Sequence, residues 1–454
     1  MTRFLCSGLG FAICERIISE FIETRSTSDQ KLLLIPTTRS RSKADDTLRR
    51  LVLHLSKVCA RRERVTKNTG IAALLEEKVD VDPLLVDLNS ILSVQSAAQE
   101  LNGRLEKRNL SLDVLLCNAG IGGWTGVDWW GLIKQALTKG PLHMASRPGF
   151  KIARVGAVLP PQLPAVDSSK HAGEANGTIS KAEQEEEPPL GEVFCANVFG
   201  HYLLGHWLAP SLLRAGEPEN KRGRLIWVST LEAYPYTFSM NDIQGIASPL
   251  PYESSKRLTD LLALTSELPS TQPYVSSYFS TASPPRSTRS AGARAAAPPK
   301  MYLSQPGICA TTIMPIPALV AYLQVAAFYV LRVLCGSYWH TVSAWSGATA
   351  PAWLALAASR ALEAVESADG KAKWGSVVDV WGRERAVRTE VQGWGFGGRV
   401  GEVRLKSGRW DPWTNSEESL VEFEELGMQA WREMERLRVE WESRITRAEL
   451  EEEE

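Results

Sequence analysis

The chain has 454 residues and a formal net charge of −1, a balance that does not indicate a nucleic-acid-binding surface. The seven cysteines contain no Cys-x-x-Cys pair and the six histidines form no cluster with them, so we expect no metal site. This length allows one large domain with insertions or several smaller domains.

The first predicted helix follows a short glycine loop, Ser7-Gly8-Leu9-Gly10. Apolar residues at helical spacing continue from Phe11 to Phe21. A Gly-x-Gly at a helix start lets backbone N–H groups approach a pyrophosphate, although an ordinary glycine-containing helix start is the alternative. A hydrophobic strand normally precedes such a loop, yet only six residues stand before Ser7. We therefore expect either a fold without its first strand or a sequence that begins too late.

The second strand is predicted in the apolar run after Lys31, and it ends in Thr38, Arg39 and Arg41 with no acid before Asp45. In dinucleotide folds an acid at this point binds the ribose 2′-hydroxyl, whereas arginines bind a 2′-phosphate. The basic ending favours NADP(H) over NAD(H), with a plain basic loop as the alternative.

Strands and helices alternate along the next hundred residues. We predict a helix over 44–80, a short strand after Pro83 that ends at Asp87 near an adenine, and a helix over 90–107. A fourth strand over 112–117 ends in Asn118, Ala119 and Gly120, small residues that can lie flat against a nicotinamide ribose. The alternation predicts an α/β fold, a Rossmann-like doubly wound parallel sheet with its first strand truncated.

Two stretches interrupt this pattern, at about 141–190 and 269–299. The Trp-rich sequence GGWTGVDWWGLI before the first stretch is expected to cover the site. From about Pro160 to Pro189 the first stretch is polar and acidic, and the second is rich in Ser, Pro, Ala and Arg. Such compositions are typical of disorder, so we expect a disordered insertion in each of these two regions.

The central candidate is Tyr252-Glu-Ser-Ser-Lys256. A Tyr and a Lys four residues apart lie on one helix face, where the ammonium can stabilise phenolate and lower the pKa of the phenol. Such a pair can protonate a carbonyl oxygen. Taken alone, the spacing also fits a solvated helix face.

Three further segments carry polar groups to the same region. Asn197 lies in an amphipathic helix, where it either holds a water near the Lys or props the helix open. Ser229 and Thr230 end a fifth strand, where a hydroxyl can bind a substrate carbonyl beside Tyr252. A sixth strand after Met301 is followed by residues suited to a loop over the nicotinamide: Pro306, Gly307, Thr311 and Thr312.

The stretch 317–339 is apolar, but its longest uninterrupted apolar run is too short to span a bilayer. Its flanking Tyr and Trp residues favour a helix lying in a membrane interface, and a buried core helix or a homodimer helix is the alternative. We therefore divide the chain into a reductase-like domain over 1–315, an apolar membrane-associating helical segment over 316–365, and an extension over 366–454 that ends in a charged helix.

Together the motifs SGLG, TTRSR, VDL, NAG, YESSK and QPGICATT resemble those of the short-chain dehydrogenase/reductase family over residues 7–315. The longer segments SGLGFAICERIISEF, LIPTTRSRSK, LLCNAGIGGWTGVDW and NVFGHYLL are most similar to the fungal 3-keto-sterol reductases of ergosterol biosynthesis. Two departures are that the opening Thr-Gly of the glycine loop is missing and that Thr230 replaces the second serine of a Ser-Ser pair.

This resemblance implies NADPH-dependent reduction of a sterol 3-ketone to the 3β-hydroxyl, at the endoplasmic reticulum membrane or lipid droplets on the cytosolic face, beside other enzymes of sterol C-4 demethylation. Tyr252 would donate the proton, Lys256 would lower its pKa and hold the ribose, Ser229 or Thr230 would orient the ketone, and Asn197 would hold a relay water. NADP(H) would be bound by Gly8, Leu9, Gly10, Thr38, Arg39, Arg41, Asp87, Asn118, Ala119, Gly120, Tyr252, Lys256, Pro306, Gly307, Thr311 and Thr312.

Two other functions stay open. The same motifs suit a reductase of another lipophilic carbonyl, such as a retinal or a fatty-acyl ketone. The apolar and C-terminal helices suit a weakly active scaffold that holds partner enzymes.

Overall fold

In the computed structural model, the described residues are 8–140, 143–144, 147–163, 187–212, 222–280, 298–310, 316–400 and 415–453. Hydrophobic runs bounded by turns form its strands, most of which are short. In chain order they are β1 (Leu32–Leu34), β2 (Thr37–Thr38), β3 (Val79–Val81), β4 (Leu84–Leu85), β5 (Val114–Cys117), β6 (Trp124–Val127), β7 (Lys151–Ala153), β8 (Arg224–Val228), β9 (Lys300–Gln305), β10 (Lys373–Val378) and β11 (Glu384–Thr389).

The helices follow the predicted alternation, and a π-helical turn at Cys195–Phe199 joins the sixth helix to the seventh. They are α1 (Leu9–Arg25), α2 (Arg41–Thr66), α3 (Ile71–Glu76), α4 (Ile91–Lys107), α5 (Trp129–Lys139), α6 (Glu192–Phe194), α7 (Gly200–Trp207), α8 (Ala209–Leu212), α9 (Pro251–Thr265), α10 (Gln272–Tyr278), α11 (Ala318–Leu334), α12 (Ala344–Gly347), α13 (Thr349–Leu356), α14 (Ser359–Asp369) and α15 (Glu417–Glu453).

The main sheet has the order β11-β10-β9-β8-β5, and only β11 runs antiparallel to its neighbour. Two further parallel pairs, β1 with β3 and β2 with β4, stand apart from it. The predicted α/β fold with a mainly parallel sheet is confirmed.

Among the described residues no strand precedes α1, and the sheet is interrupted between β1 and β5. Ile13 and Ile17 of α1 pack in one cluster with Leu34 of β1 and Leu116 of β5. Apolar packing under α1 therefore joins the two groups of strands, where a paired strand would otherwise supply hydrogen bonds.

The predicted helix over 44–80 is wrong in its second half. The helix α2 ends at Thr66 because Lys67 (φ 52°) and Gly70 (φ 90°) take left-handed conformations. After the short α3, residues 79–81 form β3, which pairs with β1. The charge-rich composition concealed this change of element.

The strand β7 lies inside the first insertion, before the part predicted to be disordered, and pairs with β6. The predicted disorder of the second insertion is wrong where the structure describes it. In the second, α10 buries Tyr278, whose hydroxyl donates to the Tyr202 carbonyl at 3.1 Å. Val275 and Phe279 are buried with it, so three apolar side chains anchor this polar segment in the core. The remainder of the two insertions, 164–186 and 281–297, lies outside the described residues.

The packing does not break at the predicted boundaries 315 and 365. Ala348, between α12 and α13, and Ala350 and Ala352 of α13 are fully buried, since their small side chains allow close packing on α1 and on the sheet. The strands β10 and β11 from the C-terminal segment complete that sheet. All three predicted segments thus share one core.

The C-terminal helix α15 is a charged helix, as predicted, and its apolar stripe is docked on the chain itself. Phe423, Trp431, Met434 and Trp441 are buried in the main core. The indole N–H of Trp431 donates to the carbonyl of Leu262 in α9 at 3.1 Å. The C-terminal helix therefore supports the helix that carries the Tyr/Lys motif.

Candidate functional site

A cavity of about 1350 Å³ lies at the carboxyl ends of β5, β8 and β9, the edge where doubly wound sheets bind ligands. It gathers most of the predicted site residues from five separate segments of the chain. Those that line it are Gly8, Leu9, Gly10, Asn118, Ala119, Gly120, Ser229, Thr230, Tyr252, Lys256, Pro306 and Gly307.

Glycines allow backbone segments to approach closely along one wall of this cavity. A Cβ atom on Gly10 would lie 2.8 Å from the Asn118 amide nitrogen, and one on Gly120 would lie 2.5 Å from the Asn197 side-chain oxygen. The start of α1 and the segment after β5 therefore form a narrow cradle that any larger residue would fill. The chemistry of this cradle, N–H groups at a helix start, fits the pyrophosphate of a dinucleotide.

Tyr252 and Lys256 lie on α9, which starts at Pro251. The Lys256 ammonium is 5.8 Å from the centroid of the Tyr252 ring and donates to the Val228 carbonyl at 2.7 Å. Burial lowers the pKa of Lys256 to about 8, although Asp260 raises it. Burial also raises the pKa of Tyr252, with further contributions from Glu232 and Glu253.

The direction of the Tyr252 pKa is opposite to the one predicted. The sequence argument considered Lys256 alone, whereas desolvation and two neighbouring carboxylates disfavour the phenolate. In this structure Tyr252 is a neutral phenol at neutral pH, which is the form that can donate a proton.

The two hydroxyls that follow β8 have different surroundings. The Ser229 hydroxyl is buried and donates to Asp260 at 2.5 Å, and Asp260 is also bound by Lys373 at 2.7 Å. Thr230 lies beside Tyr252 and lowers the pKa of the phenol, and the Thr230 hydroxyl accepts from the Glu232 N–H at 3.3 Å. Of the two alternatives left open by the sequence, the geometry favours Thr230 as the hydroxyl beside the proton donor.

Asn197 lies behind the cavity wall and is 1% exposed. Its side chain accepts from the Ile121 N–H at 2.7 Å and donates to the Ile121 carbonyl at 3.0 Å. It sits in the π-helical turn, where the regular hydrogen-bond ladder is interrupted. The side chain thus fixes the segment after Gly120, and the helix around it is opened.

The predicted adenine-side residues lie outside the cavity. Thr38 and Asp87 are close to each other, because β2 pairs with β4 and the Val86 N–H donates to the Thr38 carbonyl at 2.9 Å. Arg39 and Arg41 are exposed at the start of α2. Thr311 and Thr312 lie outside the described residues.

Sequence reasoning missed a group of charged residues next to Tyr252. Lys151, on β7, binds the carboxylates of Glu232 and Glu253 and also lines the cavity. The Trp124 ring, in the Trp-rich segment expected to cover the site, lies 5.0 Å from the Tyr252 ring. Only Glu253, inside the Tyr/Lys motif itself, gave a signal in the sequence.

Much of the remaining cavity lining is apolar. Two helices that are distant in sequence, α5 and α11, supply part of it. The lining side chains include Trp129, Leu132, Val320, Leu323, Phe328 and Leu331. A phenol within a largely apolar lining suits an apolar molecule that carries one carbonyl group.

The fold and this site define a nicotinamide-dependent carbonyl reductase of the short-chain dehydrogenase/reductase type. The chain is 40% identical over 460 residues to a 3-keto-steroid reductase of Aspergillus fumigatus, with 98% of this chain and 94% of the relative covered. It is 36% identical over 469 residues to one of Gibberella zeae, with 96% and 92% covered. The chain belongs to the family of the 3-keto-steroid reductases.

Other comparisons give weaker likenesses. A 3-keto-steroid reductase of Schizosaccharomyces pombe is 28% identical over 392 residues, 85% of this chain and 88% of the relative. No family model matches the chain. Two solved structures are similar to the chain at low identity. One is a 3-oxoacyl-[acyl-carrier protein] reductase from Brucella melitensis in complex with NAD, with a TM-score of 0.35 and 13% identity over 77% of this chain and 86% of that one. The other is an NADPH-bound carbonyl reductase from chicken fatty liver, with a TM-score of 0.29 and 12% identity over 65% of this chain and 73% of that one. The family assignment rests on the sequence relatives.

Proposed function

We propose that this chain reduces the 3-ketone of a sterol C-4 demethylation intermediate to the 3β-hydroxyl, with NADPH as the reductant. The observation that carries the proposal is the pairing of Tyr252 and Thr230 at the polar end of an otherwise apolar cavity. The names of the sequence relatives, 3-keto-steroid reductases, support the choice of substrate.

The residues of the cavity have separate tasks in this reaction. The cofactor supplies a hydride to the carbonyl carbon. The Thr230 hydroxyl and the Tyr252 phenol bind the ketone oxygen, and the phenol transfers its proton to that oxygen as negative charge develops there. Lys256 lies beside the phenol, so its positive charge stabilises the phenolate that remains until a proton returns.

The choice of NADPH rests on Arg39 and Arg41. Both side chains are exposed, and within the described ranges neither has a hydrogen-bond or ion-pair partner. The first turn of α2 contains no acidic residue. Two unengaged guanidinium groups at the end of β2 suit a ribose 2′-phosphate, which binds arginine through charge-assisted hydrogen bonds.

The proposed location is the cytosolic face of the endoplasmic reticulum membrane or a lipid droplet, beside other enzymes of sterol C-4 demethylation. In α11 only Phe328 and Leu331 are buried, whereas Leu319 is 71% exposed. In α5 no residue is buried, and Trp130 is 81% exposed. Within the described part of the chain, no helix is both long and apolar enough to cross a membrane.

These two helices have the composition of interfacial helices. Their charged residues are all basic, Lys134 and Lys139 in α5 and Arg332 in α11, which suits anionic lipid headgroups. Both helices also line the apolar end of the cavity, so a membrane bound to them would lie next to the place where an apolar substrate enters. A homodimer that covers α11 is the competing arrangement.

The test is NADPH oxidation with a 3-keto sterol delivered in cyclodextrin, with the product identified as the 3β-alcohol by mass spectrometry. Tyr252→Phe is the control, and we expect it to bind NADPH and to lose turnover. Retinal and a fatty-acyl ketone are the comparison substrates. Faster turnover of either one, or full turnover by Tyr252→Phe, would contradict the proposal.

A further inference from the structure

Three charged side chains form a buried cluster beside Tyr252. The Lys151 ammonium binds Glu253 at 2.6 Å and also binds Glu232, and the Lys151 side chain is only 3% exposed. The Glu253 and Glu232 side chains are 5% and 17% exposed. Buried ions of this kind are costly to desolvate, and burial raises the pKa of Glu232 although Lys151 lowers it. The cluster holds two carboxyl groups against one ammonium.

The cluster joins three segments that are far apart in sequence. Lys151 lies on β7, Glu253 lies on α9 directly after Tyr252, and Glu232 follows Thr230 by two residues. The Glu232 N–H donates to the Thr230 hydroxyl at 3.3 Å. Movement of Lys151 would therefore release both segments that position the phenol and its hydroxyl partner.

Lys151 also sets the position of the Trp124 ring. Its ammonium lies 4.6 Å from the Trp124 ring centroid, and that ring lies 5.0 Å from the Tyr252 ring at an interplanar angle of 59°. Among the described residues the buried indole nitrogen of Trp124 has no hydrogen-bond partner. Contacts to its ring face therefore orient Trp124, and Lys151 supplies the cation–π contact among them.

Glu253 depends on Lys151 in a similar way. Its second carboxylate oxygen is buried and has no hydrogen-bond partner in the part of the chain that the structure describes. The pKa of Lys151 is raised by Glu232 and Glu253 against the effect of burial. The lysine is therefore a permanent cation at neutral pH and the main compensation for the buried Glu253 charge.

Other groups face Tyr252 from the remaining sides. Lys256 lies on the same helix, and Thr230 lies on the segment after β8. The partly buried Cys309 thiol follows β9, and its pKa is raised by burial to about 12, so it is neutral. Beyond the carboxylates, Tyr236 interacts with both of them and with Arg147. Burial, Glu232 and Glu253 thus raise the pKa of the phenol, and Thr230 lowers it.

We propose that Lys151 is a positioning residue for Tyr252: by binding Glu232 and Glu253 it holds the Trp124 ring against the phenol and keeps two carboxylates close enough to maintain the phenol in its protonated form. The proposal rests on the reductase function stated above. The chemical step is unchanged: the Tyr252 O–H bond breaks as the proton passes to the ketone oxygen, and the phenolate later regains a proton from solvent. The cluster affects the position and protonation of the phenol and leaves the hydride transfer itself unchanged.

The sign of the expected pH effect follows from the charges. Reduction needs the protonated phenol, so the rate falls as pH rises through the Tyr252 pKa. The Glu253→Gln change removes one negative charge, keeps the side-chain size and keeps an oxygen for Lys151. It should lower the Tyr252 pKa and move the alkaline limb of the kcat profile to lower pH by on the order of one unit.

The experiment compares Glu253→Gln, Lys151→Met and Lys151→Arg in the full chain at saturating NADPH. Rates are measured from about pH 6 to about pH 12, because the raised pKa of Tyr252 places its alkaline limb above the range of an ordinary phenol. We expect Lys151→Met to lower kcat by about tenfold or more with the Kd of NADPH unchanged, and Lys151→Arg to restore most of the rate because it keeps the charge. The alkaline limb of the Lys151→Met profile should not lie at a lower pH than that of the unmodified chain.

Two outcomes would overturn the proposal. One is an alkaline limb of Glu253→Gln that coincides with that of the unmodified chain, which decides the matter even where Lys151→Met does not fold. The other is a folded Lys151→Met with unchanged kcat and pH profile. A substrate-free ultraviolet phenolate titration, with Tyr252→Phe to identify the Tyr252 contribution, separates these results from a failure of the sterol assay. Earlier ionisation of Tyr252 in Glu253→Gln supports the cluster even where sterol turnover is absent.

Discussion

Which hydroxyl serves Tyr252 can be decided by a pair of matched substitutions. Thr230→Val removes the hydroxyl that lowers the pKa of the phenol and keeps the side-chain shape. If this hydroxyl binds the developing oxyanion, its loss should lower kcat by about 100-fold to 1000-fold, the range found for single oxyanion donors. The Tyr252 pKa should also rise further, since Thr230 lowers it.

Ser229→Ala is the control, and it should act on stability. Its hydroxyl donates to a fully buried Asp260, which keeps its ion pair with Lys373 at 2.7 Å. Loss of one donor to a buried carboxylate costs about 1–3 kcal/mol of unfolding free energy. We expect a lower melting temperature with less than about a tenfold loss of kcat.

The assay is steady-state sterol reduction at a temperature below the melting transition of both variants, with NADPH affinity measured in parallel. The reasoning would be refuted by the reverse pattern, in which Ser229→Ala loses 100-fold or more in kcat and Thr230→Val stays near the unmodified rate. Equal losses with equal NADPH binding would show that both hydroxyls touch the substrate.

Three further predictions address stability, cofactor choice and membrane binding. Trp431→Ala should lower the free energy of unfolding by about 3–5 kcal/mol, and with it the melting temperature, because the side chain is fully buried. Trp130→Ala, at an exposed position, should change the free energy of unfolding by less than about 0.5 kcal/mol. Similar losses in the two variants would contradict the packing argument. The double change Arg39→Ser with Arg41→Ser should weaken NADPH by about 10-fold or more and leave NADH nearly unchanged, measured by fluorescence titration; equal weakening of both would argue against a 2′-phosphate site. Leu319→Ser, at an exposed apolar position of α11, should reduce binding to anionic lipid vesicles in a flotation assay; unchanged flotation with a loss of dimer in solution would favour the homodimer.

The sequence was sufficient for features that depend on local patterns. The order of strands and helices follows from apolar runs and helical spacing. The meeting of Asn118, Ser229 and Pro306 follows from the rule that parallel strands present their carboxyl ends at one edge. Both arguments need only nearby residues and the topology of the fold. The fold class was accordingly predictable.

Features that depend on distant contacts were not predictable. Lys151 lies 102 residues from Glu253 and belongs to no motif, so the cluster is formed only by tertiary structure. The rise in the Tyr252 pKa has the same origin, since burial and Glu232 cannot be seen in the Tyr/Lys spacing. The order of α10 within a Ser- and Pro-rich stretch likewise depends on the site where Tyr278 is buried.

The docking of α15 has a consequence for the synthesis of the chain. Trp431 contacts Leu262 across 169 residues, and Glu435 accepts from the Tyr202 hydroxyl across 233 residues. While the ribosome is still making the last helix, α9 therefore lacks one of its supports and the apolar surface meant for α15 is open to solvent. Contacts of such long range form slowly and leave intermediates that expose apolar surface. The reductase should thus acquire its working site only after translation has passed residue 441, and until then it should be a client of molecular chaperones.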